Sequence, residues 1–193
     1  MDKIVIIGSP GAGKSTLARK LGRKLHIKVV HLDCKFWQPG WKEKPRDMRI
    51  KILQELVREN QWIIEGTYLD SSEPRLRAAD TIIFLDVAPL ACLWRIFKRH
   101  REFHGLIRHD IPEGCKDKPN LLRILKVLGF PFRGRRTLKQ KLRKFPPEKV
   151  IWLRSSKEVE DFLVKIKPHA DEKRQSSKIP SAARNRQLAL AKR

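Results

Sequence analysis

Apolar residues run unbroken from Ile4 to Ile7, give way to a glycine-rich stretch, and return at Leu17, Ala18, Leu21 and Leu25. A short unbroken run suits a strand buried on both faces, and the later spacing of three and four suits a helix that buries one stripe. The alternation then recurs along the chain. Lys28 to Leu32, Trp62 to Ile64, Thr81 to Leu85 and Val150 to Leu153 read as four more strands. Between them, Ile50, Leu53, Leu56 and Val57 mark a helix that starts near Pro45 and ends near Asn60, and Pro74 starts a short one. Pro89 opens another, whose stripe of Leu90, Leu93, Trp94 and Phe97 is expected to be buried, with Arg95 and Arg99 on a flanking face. Loop signals fill the stretch from Arg101 to Pro119. Leu121 to Leu128 then read as helical, followed by a basic helical stretch from Arg133 to Lys144. Ser155 and Glu158 form a capping box for a last helix that Pro168 stops. Strands separated by helices describe an α/β fold, a mainly parallel five-stranded sheet with helices on both faces.

The glycine-rich stretch carries chemistry. Gly8, Ser9, Pro10, Gly11, Ala12, Gly13, Lys14 and Ser15 match the pattern G-x-x-x-x-G-K-[ST], placed between a strand and a helix as a P-loop requires. Its glycines allow a tight turn whose N–H groups, with the positive helix end, face an anion, so a polyphosphate such as that of ATP is the expected ligand. Lys14 would reach the β- and γ-phosphates, and the Ser15 hydroxyl would take one position on a Mg²⁺ ion. Thr16 closes the binding run and continues the helix. In open α/β sheets ligands sit beyond the carboxyl ends of the strands, which puts Asp33, Glu65 and Asp86 on the side of the P-loop.

Composition narrows the remaining choices. The 193 residues, 40% of them hydrophobic, suit one domain over residues 1–167, with a basic, disordered tail over 168–193. No apolar stretch approaches the roughly 20 residues that span a membrane. Cys34, Cys92 and Cys115 give no disulfide framework, so a cytoplasmic protein with free thiols is expected. His100, His104, His109 and Cys115 match no zinc spacing. A formal net charge of +23 favours polyanionic partners without choosing among them. Arg133 to Lys144 and the tail cations Lys173, Arg174, Lys178, Arg184, Arg186, Lys192 and Arg193 could hold nucleic-acid phosphates without reading bases.

The segments GSPGAGKSTLARKL, VVHLD with the nearby Trp37 and Trp41, WIIEGTY, RLRAADTIIFLD and RIFKRH resemble, in order and spacing over residues 1–167, the DNA topology modulation proteins. That family is similar to the adenylate-kinase-like P-loop kinases. The resemblance implies a three-layer fold like that of nucleoside-monophosphate kinases, with a small helical lid over about residues 101–146, and ATP- and Mg²⁺-dependent transfer of a phosphoryl group to a nucleotide or another small acceptor. Glu65-Gly66 resembles the acid-glycine pair that such kinases carry beside the P-loop strand, although aspartate is more usual there. The Gly-Phe-Pro-Arg sequence whose arginine binds the acceptor phosphate in nucleoside-monophosphate kinases is replaced here by Gly66-Thr67-Tyr68. Arg75 or Arg77 could stand in for that arginine, or either could be a helix-surface residue.

Roles for the other residues follow from position and charge. Asp33 could orient or deprotonate an acceptor hydroxyl. Glu65 fits a ligand of Mg²⁺-bound water, because a buried acid beside a P-loop needs a compensating cation. Asp86 precedes Pro89 and is expected to cap the next helix. Arg95 and Arg99, and the cluster from Arg133 to Arg136, could close over the transferring phosphoryl group. Trp37 and Trp41 could stack a nucleobase or pack in the core. The rival reading is a nucleic-acid-binding protein that uses the nucleotide as a switch.

Overall fold

The computed structural model describes residues 1–102, 115 and 121–167. At its centre is β1 (Lys3–Gly8), every residue of which from Ile4 onward is buried. It pairs in parallel with β5 (Trp62–Glu65) on one side and β6 (Thr81–Leu85) on the other. Outside these lie β2 (Val29–His31) and β7 (Val150–Leu153), giving the order β2-β5-β1-β6-β7 with every pairing parallel. The strand order reverses at β1. The P-loop therefore leaves the sheet at the point where such folds open a crevice for ligands.

Alternate residues of each strand feed opposite faces, because side chains in a strand alternate. Ile4, Ile6, Ile63 and Ile83 pack against α1 (Lys14–Leu25) and α5 (Pro89–Glu102) through Leu17, Leu21, Cys92 and Ile96. The same cluster takes in Val127 of α6 (Leu121–Gly129) and, at its edge, Val159, Phe162 and Leu163 of α8 (Ser156–Lys165). Val5, Ile7, Ile64, Ile82 and Phe84 meet α2 (Leu32–Phe36), α3 (Arg46–Leu56), α4 (Glu73–Ala78) and α7 (Gly134–Leu142) on the other face. The result is the expected three layers. The capping box also forms: the Ser155 hydroxyl accepts from Glu158 N–H at 3.1 Å, while the Glu158 carboxylate accepts from Arg154 N–H at 2.9 Å.

Three expectations need correction. Most of the α5 stripe is turned outward: Leu90, Trp94 and Phe97 are 76%, 62% and 46% exposed, Leu93 packs partly buried against the core, and Cys92 and Ile96 are buried. The P-loop sets this orientation. A Cβ on Gly11 would stand 2.4 Å from the Cys92 carbonyl oxygen and 3.0 Å from Ile96, so the turn of Cys92 and Ile96 must lie flush against the loop. Asp33 does not end a strand, since it sits in the first turn of α2. After α2, the Pro39-Gly40 turn closes a short hairpin, β3 (Trp37–Gln38) with β4 (Lys42–Glu43). Asp86 is taken by an ion pair rather than a helix terminus, with Arg135 donating to both of its carboxylate oxygens at 2.7 Å.

Within the segment expected to form a lid, α7 belongs to the second helical layer, burying Leu138 and Leu142. Residues 103–114 and 116–120, which include His104 and His109, lie outside the described residues, as does the tail 168–193. No helix among the described residues is long and apolar enough to cross a membrane.

The start of β1 is pinned by one carboxylate. Asp80 accepts from the N–H groups of Asp2 and Lys3 at 2.7 and 2.9 Å and from the Thr81 hydroxyl at 2.7 Å. Burial alone would raise its pKa, but these hydrogen bonds and the nearby N-terminal charge hold it below the usual carboxylate value. A lowered folded pKa stabilises the fold above the unfolded value of about 3.9, and that contribution disappears as pH falls through the folded value. Asp80→Asn is therefore expected to cost about 1 kcal/mol at neutral pH, discounted for its exposure, and progressively less below pH ~4. Urea unfolding of both proteins across this pH range checks it.

Candidate active site

The loop after β1 has the backbone geometry that anion binding needs. Gly11 and Gly13 take φ of 80° and 98°, a region that a side chain would strain, and Gly13 caps the N-terminus of α1. Gly8 is held from outside the loop: its N–H donates to the Thr67 hydroxyl at 3.2 Å, and that hydroxyl donates back to the Gly8 carbonyl. Lys14 lies across the loop, its ammonium 3.0 Å from the Ser9 carbonyl oxygen. Ser9 and Ala12 are buried, whereas Thr16 is exposed on the first turn of α1. Pro10 is partly exposed between them.

Ser15 and Glu65 converge beside the P-loop. The Ser15 hydroxyl donates to Glu65 Oε1 at 3.1 Å, and Glu65 is 4% exposed at the end of the strand adjacent to β1. The same oxygen lies 2.8 Å from His31 Nδ1. His31 escaped notice in the sequence because only the β2–β5 register, which sets it opposite Glu65, brings the two together. A hydroxyl and a carboxylate beside the phosphate loop, both hard oxygen donors, fit a Mg²⁺ ion and its waters.

Beyond the end of β5 the chain makes a strained turn in which Gly66 has φ of 135° and Tyr68 has φ of 24°. Tyr68 donates to Asp33 Oδ1 and accepts from Trp37 Nε1, both at 2.6 Å. Burial, reinforced by the Asp33 charge, pushes the Tyr68 pKa well above that of a free phenol, so it remains a neutral donor. Trp41 meets Trp37 edge to face at 5.6 Å. Asp33, Trp37, Trp41 and Tyr68 thus form one cluster at the carboxyl end of the sheet.

Among the arginines, Arg95 meets the loop directly, donating to the Ala12 carbonyl at 3.0 Å and to the Ser156 hydroxyl at 2.9 Å. Arg99 follows one turn later on α5, partly buried. Neither candidate for the missing acceptor arginine is placed to serve. Arg77 is an exposed residue paired with Glu73 at 2.7 Å. Arg75 is fully buried, donating to the Gly66 and Thr67 carbonyls at 3.0 and 2.6 Å, and burial pushes its pKa down to about 10, still charged at neutral pH. Its task is to tie down the turn that carries Thr67 and Tyr68.

Comparison with known proteins adds a lineage. A family model described as an AAA domain matches residues 4–105. Over 98 residues the chain is 34% identical to a putative adenylate kinase of Pyrococcus furiosus, covering 50% of this chain and 54% of that protein. Over 100 residues it is 25% identical to a shikimate kinase of Rhodococcus erythropolis, covering 45% and 59%. The chain thus spans little more than half the length of these curated relatives. A shikimate kinase from Acinetobacter baumannii, solved in complex with shikimate, shares the fold at a TM-score of 0.56 and 15% identity, over 86% of this chain and 90% of that one.

Proposed function

The chain belongs to the AAA domain family, and from that premise we propose that it is an ATP- and Mg²⁺-dependent phosphotransferase acting on a small hydroxyl acceptor. The observation that carries this reading is the convergence of Ser15 and Glu65 on the loop that Lys14 crosses, beside a separate cluster around Asp33. One end of the site is suited to a triphosphate and the other to an acceptor. Loop N–H groups and Lys14 hold the β- and γ-phosphates, and Ser15 and Glu65 would hold the Mg²⁺ ion, which when bound neutralises phosphate charge. Asp33 receives the acceptor proton, and Tyr68 fixes the carboxylate that does so. Arg95 stiffens the loop through Ala12, and with Arg99 it offsets the charge that develops on the transferring group. The relatives' kinase activities support the same reaction class.

The test is ADP release by the full chain with ATP and Mg²⁺ against a panel of nucleosides, nucleoside monophosphates, polyols and amino alcohols. Stimulation by at least one acceptor over the solvent rate is expected. Failure across the panel, with no ATP binding in the micromolar-to-millimolar range, overturns the reading.

A second reading keeps the resemblance to DNA topology modulation proteins. Arg135, Arg136, Lys139 and Arg143 line one open groove on α7, a cationic face able to follow a phosphate backbone without reading sequence. Binding to duplex DNA that weakens steeply with salt, and that persists in a chain ending at Pro168, would favour it. Binding lost on that truncation would assign DNA contact to the tail.

A further inference from the structure

Glu65 is held from two sides, and one of them lies outside the P-loop. Its side chain is 5% exposed and takes two bonds among the described residues, from the Ser15 hydroxyl at 3.1 Å and from His31 Nδ1 at 2.8 Å. Both fall on Oε1. A carboxylate only accepts, so the proton of the shorter contact sits on the imidazole Nδ1, and the two donors fill both lone-pair positions of that oxygen. Oε2 keeps its capacity for a further donor. In the same arrangement the Ser15 hydroxyl gives its one proton to Glu65, which leaves its own lone pairs for a cation.

Tertiary register, not sequence proximity, brings His31 to this carboxylate. The residue ends β2, where the parallel pairing with β5 sets it opposite Glu65. It is also the N-cap of α2, a position from which a side chain can accept a helix N–H, yet it makes no such bond. Its contact is with the carboxylate and not with the helix. With 15% of the His31 side chain exposed, water competes little for the 2.8 Å bond, and the low local dielectric strengthens it.

Resting on the reading of Ser15 and Glu65 as the holders of Mg²⁺, we propose that His31 is a positioning residue for the metal. It holds the Glu65 carboxylate by Oε1 and thereby keeps Oε2 for water bound to the ion. An imidazole suits this task because it can donate the bond without a net charge, whereas lysine or arginine in its place would set a fixed cation beside Mg²⁺. Hydrogen-bond partners that orient a metal's ligands are worth about 10–100-fold in metal affinity.

Binding of Mn²⁺, a paramagnetic stand-in for Mg²⁺, tests this without turnover. Electron paramagnetic resonance on the full chain with a non-hydrolysable ATP analogue gives the Mn²⁺ affinity of the ternary complex, because its spectrum differs from that of Mn²⁺ on the free analogue. His31→Leu is expected to weaken Mn²⁺ about tenfold, and His31→Asn, whose amide N–H takes the place of Nδ1–H, to recover most of that loss. His31→Gln, which carries its amide at the Nε2 position instead, is a polar control expected to bind as weakly as the leucine variant, and it carries the comparison with asparagine if leucine prevents folding. In a Glu65→Gln background, removing the imidazole is expected to change Mn²⁺ affinity by less than about twofold, since the group it acts through is gone. A histidine that serves stability alone would lower the melting temperature while leaving Mn²⁺ affinity unchanged, or weaken Mn²⁺ equally in both backgrounds; either result overturns the proposal. Wild-type protein that forms no ternary complex overturns the phosphotransferase reading and the proposal together, whereas a wild-type complex indifferent to His31 overturns the proposal alone.

Discussion

Lys14→Ala is expected to lower ATP-dependent transfer by about 10²–10³-fold while leaving the protein folded. The ammonium does different work with and without nucleotide. Within the chain it donates to the Ser9 carbonyl at 3.0 Å, a half-buried contact whose loss costs about 1 kcal/mol or less. With a triphosphate in the loop, the same group makes a charge-assisted bond that strengthens as negative charge gathers on the transferring oxygens. Removing it therefore acts on the transition state far more than on the fold. Steady-state kinetics with a melting curve on the same sample separate the two effects, and unchanged turnover would move the catalytic centre away from this loop.

Arg75→Ala is expected to be the most damaging single change to stability, at about 3–5 kcal/mol. The side chain is fully buried, and one of its nitrogens bridges the Gly66 and Thr67 carbonyls. Alanine leaves a cavity and two carbonyls that have lost their donor, each costing about 1–3 kcal/mol when buried. Part of that loss is offset, because Arg75 Nε and NH1 are themselves buried without partners and their desolvation is relieved. Arg75→Met, which keeps most of the volume and removes the charge, is accordingly expected to lose about half as much. Denaturant unfolding of both variants measures the division. Equal stability of the alanine variant and the wild type would show that the turn stands without this residue.

Much of the architecture was legible in the sequence because the sheet is buried on both faces. Ile4 to Ile7 and Thr81 to Leu85 had to be nearly continuous apolar runs, and no helix among the described residues reads that way. The P-loop residues were legible for a similar reason: backbone conformation and ligand chemistry both constrain the same few positions. What escaped notice depended on contacts between distant segments. The inward face of α5 is fixed by how closely Cys92 and Ile96 approach Gly11, and a helical stripe of Leu90, Trp94 and Phe97 carries no trace of that. Arg49 reads as a surface residue until Glu43 and Asp70 are folded against it. Likewise, Asp86 and Arg135 are 49 residues apart, and either alone has a local explanation.

Thr67 shows how a departure from a family pattern can carry its own geometry. Where nucleoside-monophosphate kinases place an acceptor arginine after the acid-glycine pair, this chain places a hydroxyl that binds the first glycine of its own P-loop and a tyrosine that binds Asp33. The turn thereby links the P-loop to the cluster around Asp33, and Arg75 holds it from beneath.

A phosphorus NMR time course on the full chain with ATP, Mg²⁺ and the best acceptor from the panel tests the central claim most directly, because it distinguishes transfer from hydrolysis. The account predicts a new phosphorylated-acceptor resonance that grows as the γ-phosphate signal declines and is lost in Lys14→Ala. Inorganic phosphate as the sole product, at a rate indifferent to every acceptor, would show an ATPase and contradict it.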